Sequence, residues 1–165
     1  MIQIAELFRR ITLGVYVVGA AHEDRRGAFT AVWVTQASYD PPLLAVSVNP
    51  HNATHALLKA SGGFAVSVLK RGQLDIAQHF GTRSEKGQDK LAGVAWRPGH
   101  RGAPILQDAF AYFECELIGC ALAGDHELVI GRVIGGRILD SDAAPLTYAD
   151  TGTMDGSSSL YPASF

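Results

Sequence analysis

Residues 29–49, FTAVWVTQASYDPPLLAVSVN, constrain the fold more than any other stretch, because two apolar runs flank a diproline turn. The alternation over residues 29–37 predicts a β-strand with one buried face. The turn at 40–42 ends that strand, since neither proline can donate a hydrogen bond to a ladder. Leu43–Val48 then predicts a second strand. Strands joined by so short a connection pair antiparallel, and the stretch therefore predicts an antiparallel sheet.

The rest of the chain also predicts strands at short spacing with turns between them. Further strands are predicted at 15–21, 64–69, 110–121 and 126–138, and short helices at 3–12, 54–60 and 74–80. The last two strands form a hairpin about Gly124 and Asp125, with a bulge expected at Gly135 and Gly136. This pattern favours a mainly β, antiparallel barrel with a few short flanking helices. No GxGxxG sequence follows a strand, which disfavours a Rossmann domain.

Length and charge limit the class of protein. A chain of 165 residues suggests one domain, 1–165, in which the glycine- and serine-rich stretch 150–165 is expected to be a loose tail. A net charge of −2 gives no electrostatic footprint for nucleic acid. No stretch approaches the roughly 18 apolar residues of a membrane span. Charges at Glu6 and Arg9 interrupt the apolar N-terminal run rather than precede it, so a secretion signal is disfavoured and a cytoplasmic location expected.

The sequence contains no motif typical of a metal site or of a hydrolase. Cys115 and Cys120 stand five apart on a predicted strand and so point to opposite faces, which predicts two buried thiols without a disulfide. His51 and His55 have HxxxH spacing, but Asn52 occupies the position where a zinc protease needs glutamate. No GxSxG is present either. We therefore predict no metal site and no hydrolase.

Small polar groups beside an apolar wall suggest a ligand site. The strand after Phe29 offers the hydroxyls of Thr30 and Thr35 and the flat face of Trp33, a set that suits a planar, hydrogen-bonding, anionic ligand such as a flavin nucleotide. The stretch 52–55 opens a helix directly after a buried strand, where unpaired N–H groups suit a phosphate. The simpler alternatives, an ordinary amphipathic strand and a plain helix cap, remain open from spacing alone.

Four segments together resemble the flavin reductase-like family, the FMN-binding split barrels. They are FRRITLGVYVVGA, the long stretch from FTAVWVTQASYDPP to GGFAVSVL, the pair IAQHFG and DKLAGVAW, and GAPILQDAFAYFECELIGCALAGDHELVIGRVI. The resemblance implies a split β-barrel with Greek-key strand order, a homodimer, and FMN, or FAD, in a cleft near the dimer interface. It also implies reduction of the flavin by NADH or NADPH. The reduced flavin would serve a partner monooxygenase or another electron acceptor.

Site residues follow from the resemblance by position. It implies flavin contacts from Thr30, Ala31, Val32, Trp33, Val34, Thr35, Val48, Asn49, Asn52, Thr54, His55, Phe80, Gly81 and Lys90. Thr54 and Lys90 are the phosphate candidates. His126 is the expected catalytic residue, placed to orient the cofactor or to donate a hydrogen bond to reduced flavin; the alternative is a turn histidine bonded to backbone. Val32 and Trp33 depart from the commoner polar and small residues of the family, and the tail after Asp150 matches poorly.

Two other functions remain open. The same fold could serve as a non-catalytic flavin-binding or electron-carrier protein, which NADH-driven bleaching of the flavin would distinguish. A barrel for another planar ligand such as haem would instead show a Soret band.

Overall fold

The computed structural model describes residues 3–83, 85 and 87–165. They form three α-helices, three single-turn 3₁₀ helices and nine strands. The helices are α1 Ile4–Phe8, α2 Ala53–Ser61 and α3 Leu74–Gly81, and the 3₁₀ helices are His100–Gly102, Tyr148–Thr151 and Ser157–Leu160. The strands are β1 Tyr16–His22, β2 Arg25–Ala31, β3 Val34–Ser38, β4 Leu43–Val48, β5 Gly63–Val68, β6 Trp96–Pro98, β7 Pro104–Leu106, β8 Ala111–Ala123 and β9 His126–Ile138.

Seven strands form one sheet in the order β2-β1-β5-β8-β9-β4-β3, and β6 pairs with β7 in a second small sheet. Each pairing among these strands is antiparallel. The two edge strands, β2 and β3, are separated by only Val32 and Trp33, so the chain leaves one edge and enters the other. The sheet therefore curls into a barrel whose two edges meet where Val32 and Trp33 join β2 to β3. We call this junction the seam. Beside it, the amide of Ser47 in β4 donates to the Trp33 carbonyl at 3.0 Å and extends the β3–β4 ladder. The predicted mainly β, split-barrel fold is confirmed.

Apolar side chains fill two layers because successive residues of a strand face opposite sides of the sheet. Val18, Val46 and Phe64 are fully buried inside the barrel, where Leu58 of α2 closes one end. The opposite face of β1 belongs to a second apolar cluster, which packs beneath α3 and includes Phe80. Asn52 caps α2 by accepting from the Thr54 amide at 2.9 Å, and Gly62, with φ of 71°, ends it.

Gly131, the last residue of the stretch GDHELVIG, has a packing function. A Cβ at Gly131 would lie 2.4 Å from Phe64 Cζ and 2.9 Å from Cys115 Cβ, well inside van der Waals contact. Gly131 of β9 thus allows the Phe64 ring to lie against the sheet in the barrel interior. Gly131 lies five residues after His126, and its packing helps to hold in place the strand that carries this histidine.

Gly131→Ala is expected to lower the free energy of unfolding by about 1–3 kcal/mol, the usual cost of overpacking a filled core. Denaturant titration measures the loss. Gly119→Ala on β8 is the matched control, because a Cβ there meets no atom within 4 Å. That control should stay within about 0.5 kcal/mol of the parent. Equal stabilities of the two variants would contradict the packing role.

Several local predictions need correction. The expected strand 29–37 is broken at 32–33. The stretch 96–104, whose prolines and glycines favour turns, contains β6 and the first residue of β7. The bulge of β9 lies at Ile134, one residue before the expected pair, and a second bulge puts an extra residue, Ile118, into β8. That residue breaks the alternation on which the cysteine prediction rested. Both thiols are free, as predicted, but only Cys115 is buried and Cys120 is exposed.

The two ends of the chain pack against each other. The predicted helix 3–12 is only Ile4–Phe8, and half of the Phe8 side chain is exposed. The tail, expected to be loose, instead follows α1: Phe8 stacks on Tyr161 with ring centroids 5.5 Å apart. The Tyr148 hydroxyl donates to the Asp155 carboxylate, and an Arg9 N–H donates to the Gly152 carbonyl. These long-range contacts order a stretch whose local sequence has weak preferences.

Candidate functional site

A cavity of about 510 Å³ opens at the seam of the barrel. Its inner wall is the end of β2 and the two residues that join β2 to β3. Its outer wall is α1 with the chain after it, and the tail. The lining residues are Ala5, Phe8, Arg9, Ile11, Leu13, Phe29, Thr30, Ala31, Val32, Trp33, Ser47, Asn49, Asn52, His126, Tyr148, Asp155, Ser157 and Tyr161. We call it the seam cavity.

Trp33, which lies between the edge strands β2 and β3, meets His126, at the start of the interior strand β9, at this cavity. Their ring centroids are 4.8 Å apart with an interplanar angle of 62°, and 45% of Trp33 is exposed. His126 Nδ1 lies 2.6 Å from the Asp125 carboxylate, which can only accept, so that nitrogen carries the proton. The same contact holds the pKa of Asp125 below its usual range. It leaves Nε2 as the ring nitrogen available to a ligand.

Seven of the predicted site residues line the seam cavity. They are Thr30, Ala31, Val32, Trp33, Asn49, Asn52 and His126. The Thr30 hydroxyl donates to the Ala77 carbonyl at 2.7 Å, so it anchors α3 to β2 while the residue lines the wall. The Asn49 side chain accepts from the His51 amide at 2.9 Å, which fixes the turn before α2. Polar groups at both strand ends are therefore held in place by the fold.

Other predicted residues lie elsewhere. Val48 and Phe80 are 1% exposed and Val34 packs against the barrel core, so none of the three forms the cavity wall. Thr35 lies exposed on β3, beyond the bend, and its hydroxyl donates to the Gln36 carbonyl. His55 lies outside the cavity against Glu127. Burial and the change of direction at 32–33 explain why these residues do not line the seam cavity, since the prediction treated 29–37 as one straight strand.

A second cavity, of about 420 Å³, adjoins the start of β2 and contains both phosphate candidates. Its lining includes Arg25, Arg26, Thr54 and Lys90. Lys90 is 8% exposed, its Nζ donates to the Thr82 carbonyl, and burial lowers the pKa of its ammonium group. Arg26 lies over the Trp96 ring at 4.9 Å and 3.4 Å from Asp89. This basic cavity holds more cations than the sequence alone had suggested.

The two cavities follow each other along β2 and across the start of α2. Residues 25–28 line the basic cavity and 29–31 the seam cavity, while Thr54 lines the former and Asn52 the latter. A third cavity, of about 420 Å³, shares Thr30 and Val32 with the seam cavity and contains Gly81. An elongated ligand could thus lie with its ring at the seam and a charged end at the helix start.

Comparison with known proteins identifies the family. The family model described as flavin reductase like domain matches residues 8–157. The chain belongs to this family. A ferric-chelate reductase (NAD(P)H) of Archaeoglobus fulgidus is 34% identical over 151 residues, which are 90% of this chain and 89% of that protein. The NADH:FAD oxidoreductase SgcE6 of Streptomyces globisporus superposes with a TM-score of 0.81 at 32% identity, covering 88% of this chain and 86% of that one.

A longer relative carries the same domain as a part. Diflavin flavoprotein A 1 of Synechocystis is 36% identical over 134 residues, which are 81% of this chain but only 23% of that protein. This flavin reductase-like chain therefore spans about a quarter of the length of that relative.

A flavin fits the geometry of this flavin reductase-like domain. The volume of the seam cavity lies within the range of about 300–1,000 Å³ that small-molecule sites occupy. Ala31 and Val32 offer an apolar surface, and the exposed face of Trp33 offers a stacking partner for a ring. Asn49 and Asn52 add amides at one edge. An apolar wall with a few polar groups is what a flat heteroaromatic ring requires.

A polar cluster lies behind His126 on the same strand. The Glu127 carboxylate is 2.6 Å from Lys59 Nζ and 3.3 Å from His55 Nε2. Hydrogen bonds from Lys59, Cys120 and His55 lower the Glu127 pKa to about 2. The cluster ties α2 to the β8–β9 hairpin, so it supports the site from outside the cavity.

The sequence reasoning missed the outer wall of the cavity. Arg9, Tyr148, Asp155, Ser157 and Tyr161 contribute to it. Only the tertiary contact between the two chain ends brings them to the seam, and no local motif marks them. In the part of the chain that the structure describes, no group of His, Cys, Asp or Glu could hold a metal ion. No described helix is long and apolar enough to cross a membrane.

Proposed function

We propose that this chain is an NAD(P)H-dependent flavin reductase that binds FMN at the seam cavity. The observation that carries the proposal is the meeting of Trp33 and His126 at a cavity with an apolar inner wall, in a chain of this family. When bound, the flavin supplies the hydride acceptor and NADH or NADPH the hydride. FAD, which differs by its adenylate, is the alternative flavin.

The residues of the cavity bind and orient rather than act as strong acids or bases. Trp33 and Val32 support the ring, and the covering tail excludes water. His126 presents Nε2, which in the neutral ring can accept a hydrogen bond from the nicotinamide and so orient it. In the doubly protonated ring Nε2 donates, and it can then stabilise the negative charge that hydride transfer brings. Asp125 holds that imidazole by its Nδ1 proton.

The flavin phosphate is proposed to occupy the basic cavity at the start of α2. Helix N-termini attract anions through unpaired N–H groups and the helix dipole. Arg25, Arg26 and Lys90 add positive charge beside Thr54. Carboxylates at Glu85 and Asp89 lie in the same lining, but Arg26 already contacts Asp89. The seam cavity and the basic cavity follow each other along β2. This arrangement suits FMN, in which a flexible chain joins the flavin ring to its phosphate.

Thr54→Ala is expected to weaken FMN binding on the order of ten- to a hundredfold and riboflavin binding hardly at all. One hydroxyl contact to a charged phosphate contributes about 1.5–3 kcal/mol, and riboflavin has no phosphate to receive it. Fluorescence titration with both flavins measures the two affinities. Thr35→Ala serves as the control, because Thr35 is exposed and lines none of the three cavities. Equal weakening of both flavins would refute the phosphate assignment.

We further propose that residues 3–165 form one domain that assembles as a homodimer. The β8–β9 hairpin exposes apolar side chains that a monomer leaves in water: Ile118 at 49%, Leu122 at 89%, Ile134 at 47% and Ile138 at 66%. Patches of this kind mark interaction surfaces. Sedimentation at micromolar concentration should show a species of twice the 17.6 kDa chain mass. A single species at the monomer mass would rule out the dimer.

The electron acceptor is proposed to be a partner monooxygenase or another redox protein. The diflavin flavoprotein, in which the matching region is 23% of a longer chain, supports delivery of electrons to a further domain or protein. A cytoplasmic location fits the donor NAD(P)H and the two free thiols.

One assay tests the proposal directly. Purified protein is mixed with FMN or FAD and then with NADH or NADPH, and oxidation of the nicotinamide is followed at its absorbance band. Turnover with flavin, and none without it, is the expected result. Flavin binding without bleaching would instead identify an electron carrier, and a Soret band without flavin would identify a haem protein.

A further inference from the structure

The outer half of the seam cavity contains polar groups to which no flavin contact has been assigned. Arg9 extends from the end of α1, and the tail brings Tyr148, Asp155, Ser157 and Tyr161 beside it. These groups lie across the cavity from the inner wall. The basic cavity, where the flavin phosphate is proposed to lie, adjoins the other end of β2. A second charged group therefore has its own place to bind.

Arg9 has an unused donor in this half of the cavity. One terminal nitrogen of the guanidinium donates to the Gly152 carbonyl, and the group lies 5.7 Å from the centroid of the Tyr148 ring. The other, Nη2, is buried and meets no hydrogen-bond acceptor among the described residues. A buried charged donor without an acceptor is costly, so its position calls for a partner that enters the cavity.

The neighbouring carboxylate does not supply that acceptor. Asp155 accepts from the Tyr148 hydroxyl through one oxygen and from the Ser157 amide, at 3.0 Å, through the other. It forms no ion pair with Arg9 within 4.0 Å in the described part of the chain. The Ser157 hydroxyl lies 3.1 Å from the Tyr148 hydroxyl, and the pair adds further polar atoms to this wall. Arg9 is thus held in place by other contacts, while Nη2 has no acceptor among the described residues.

We propose that Arg9 forms an anion subsite that binds a phosphate group of the nicotinamide dinucleotide. This inference rests on the proposed reductase function and assigns the electron donor to the outer half of the same cavity. Arginine suits phosphate because its planar group can present two donors to two oxygens. The dinucleotide would lie between the tail and the flavin ring, with its nicotinamide toward Trp33 and His126. The third cavity, which shares Tyr148 and Asp155 with this wall, gives room for the rest of the molecule.

The test compares Arg9→Gln with Arg10→Gln. Arg10 is exposed, adjoins Arg9 in sequence and lines none of the three cavities. Dissociation constants are measured by titration with NADH, FMN and riboflavin, and folding by thermal unfolding. Arg9→Gln should raise the constant for NADH about tenfold or more and leave both flavins unchanged. Arg10→Gln should match the parent for all three ligands.

Other outcomes overturn the assignment. If Arg9→Gln weakens FMN but neither riboflavin nor NADH, the phosphate at Arg9 belongs to the flavin. If all three affinities equal those of Arg10→Gln, no phosphate group binds at Arg9. Should Arg9→Gln unfold, Arg9→Lys keeps the charge and removes the second donor, and its NADH affinity must still fall. A parent protein that binds NADH without oxidising it would refute the reductase function and leave the subsite standing; normal turnover with unchanged NADH affinity in Arg9→Gln would refute the subsite alone.

Discussion

Replacement of Trp33 by alanine is expected to weaken FMN binding by about 1–3 kcal/mol, on the order of ten- to a hundredfold, the range for stacking of a heteroaromatic ring on an aromatic side chain. Trp33 is 45% exposed, so part of its face is available to a ring without rearrangement of the core. The loss of that face also opens the wall to water. Quenching of flavin fluorescence on titration gives the dissociation constant.

Two further variants separate stacking from general damage. Trp33→Phe keeps an aromatic face and should recover most of the affinity. Tyr39→Ala removes an aromatic ring that is 91% exposed beyond β3 and touches none of the cavities, so FMN binding should be unchanged. If Trp33→Ala folds and binds FMN as tightly as Tyr39→Ala, the flavin ring does not stack on Trp33.

His126→Ala is expected to slow hydride transfer on the order of ten- to a hundredfold while oxidised FMN binds almost as before. Loss of one hydrogen bond to a charged group costs about 1.5–3 kcal/mol, and that amount in a barrier gives this range of rates. The imidazole stands at the start of β9, its Nδ1 bonded to Asp125 and its edge against Trp33. Stopped-flow reduction of bound FMN by NADH measures the step.

His22→Ala provides the control for this variant, since His22 is an exposed histidine at the end of β1 and outside the cavities. A histidine that only shapes the turn would lower the melting temperature and leave the rate of the folded enzyme unchanged. Equal reduction rates in His126→Ala and the parent would remove His126 from the active site.

Local sequence was enough to predict most of the strands. Leu43–Val48 was predicted with the observed bounds, and the 126–138 strand likewise, because alternation and turn residues act within a few positions. The bend at 32–33 was missed because Val32 and Trp33 have strong strand preferences and only barrel closure turns the chain there. The exposure of Cys120 was missed for a similar reason: the extra residue at Ile118 is a property of the pairing, not of β8 alone.

Only the residues of the inner wall of the seam cavity could be predicted from the sequence. Thr30 to Trp33, Asn49 and Asn52 lie on continuous motifs, and the resemblance carried them to the inner wall. Arg9 and Tyr148 are separated by most of the chain, and nothing in either local sequence indicates that they meet. Phe80 was predicted as a site residue from its position in the sequence, but its side chain is buried in the cluster beneath α3.

The seam would also link the supply of flavin to the lifetime of the protein. Val32 and Trp33, which join the two edge strands there, line the wall on which the ligand is proposed to rest. A ligand that binds only the closed state stabilises it by about 2.7 kcal/mol at a hundred times its dissociation constant. In a flavin-poor cell the seam would open more often and offer the 29–38 segment to proteases. Cofactor availability would then set the amount of the enzyme as well as its activity.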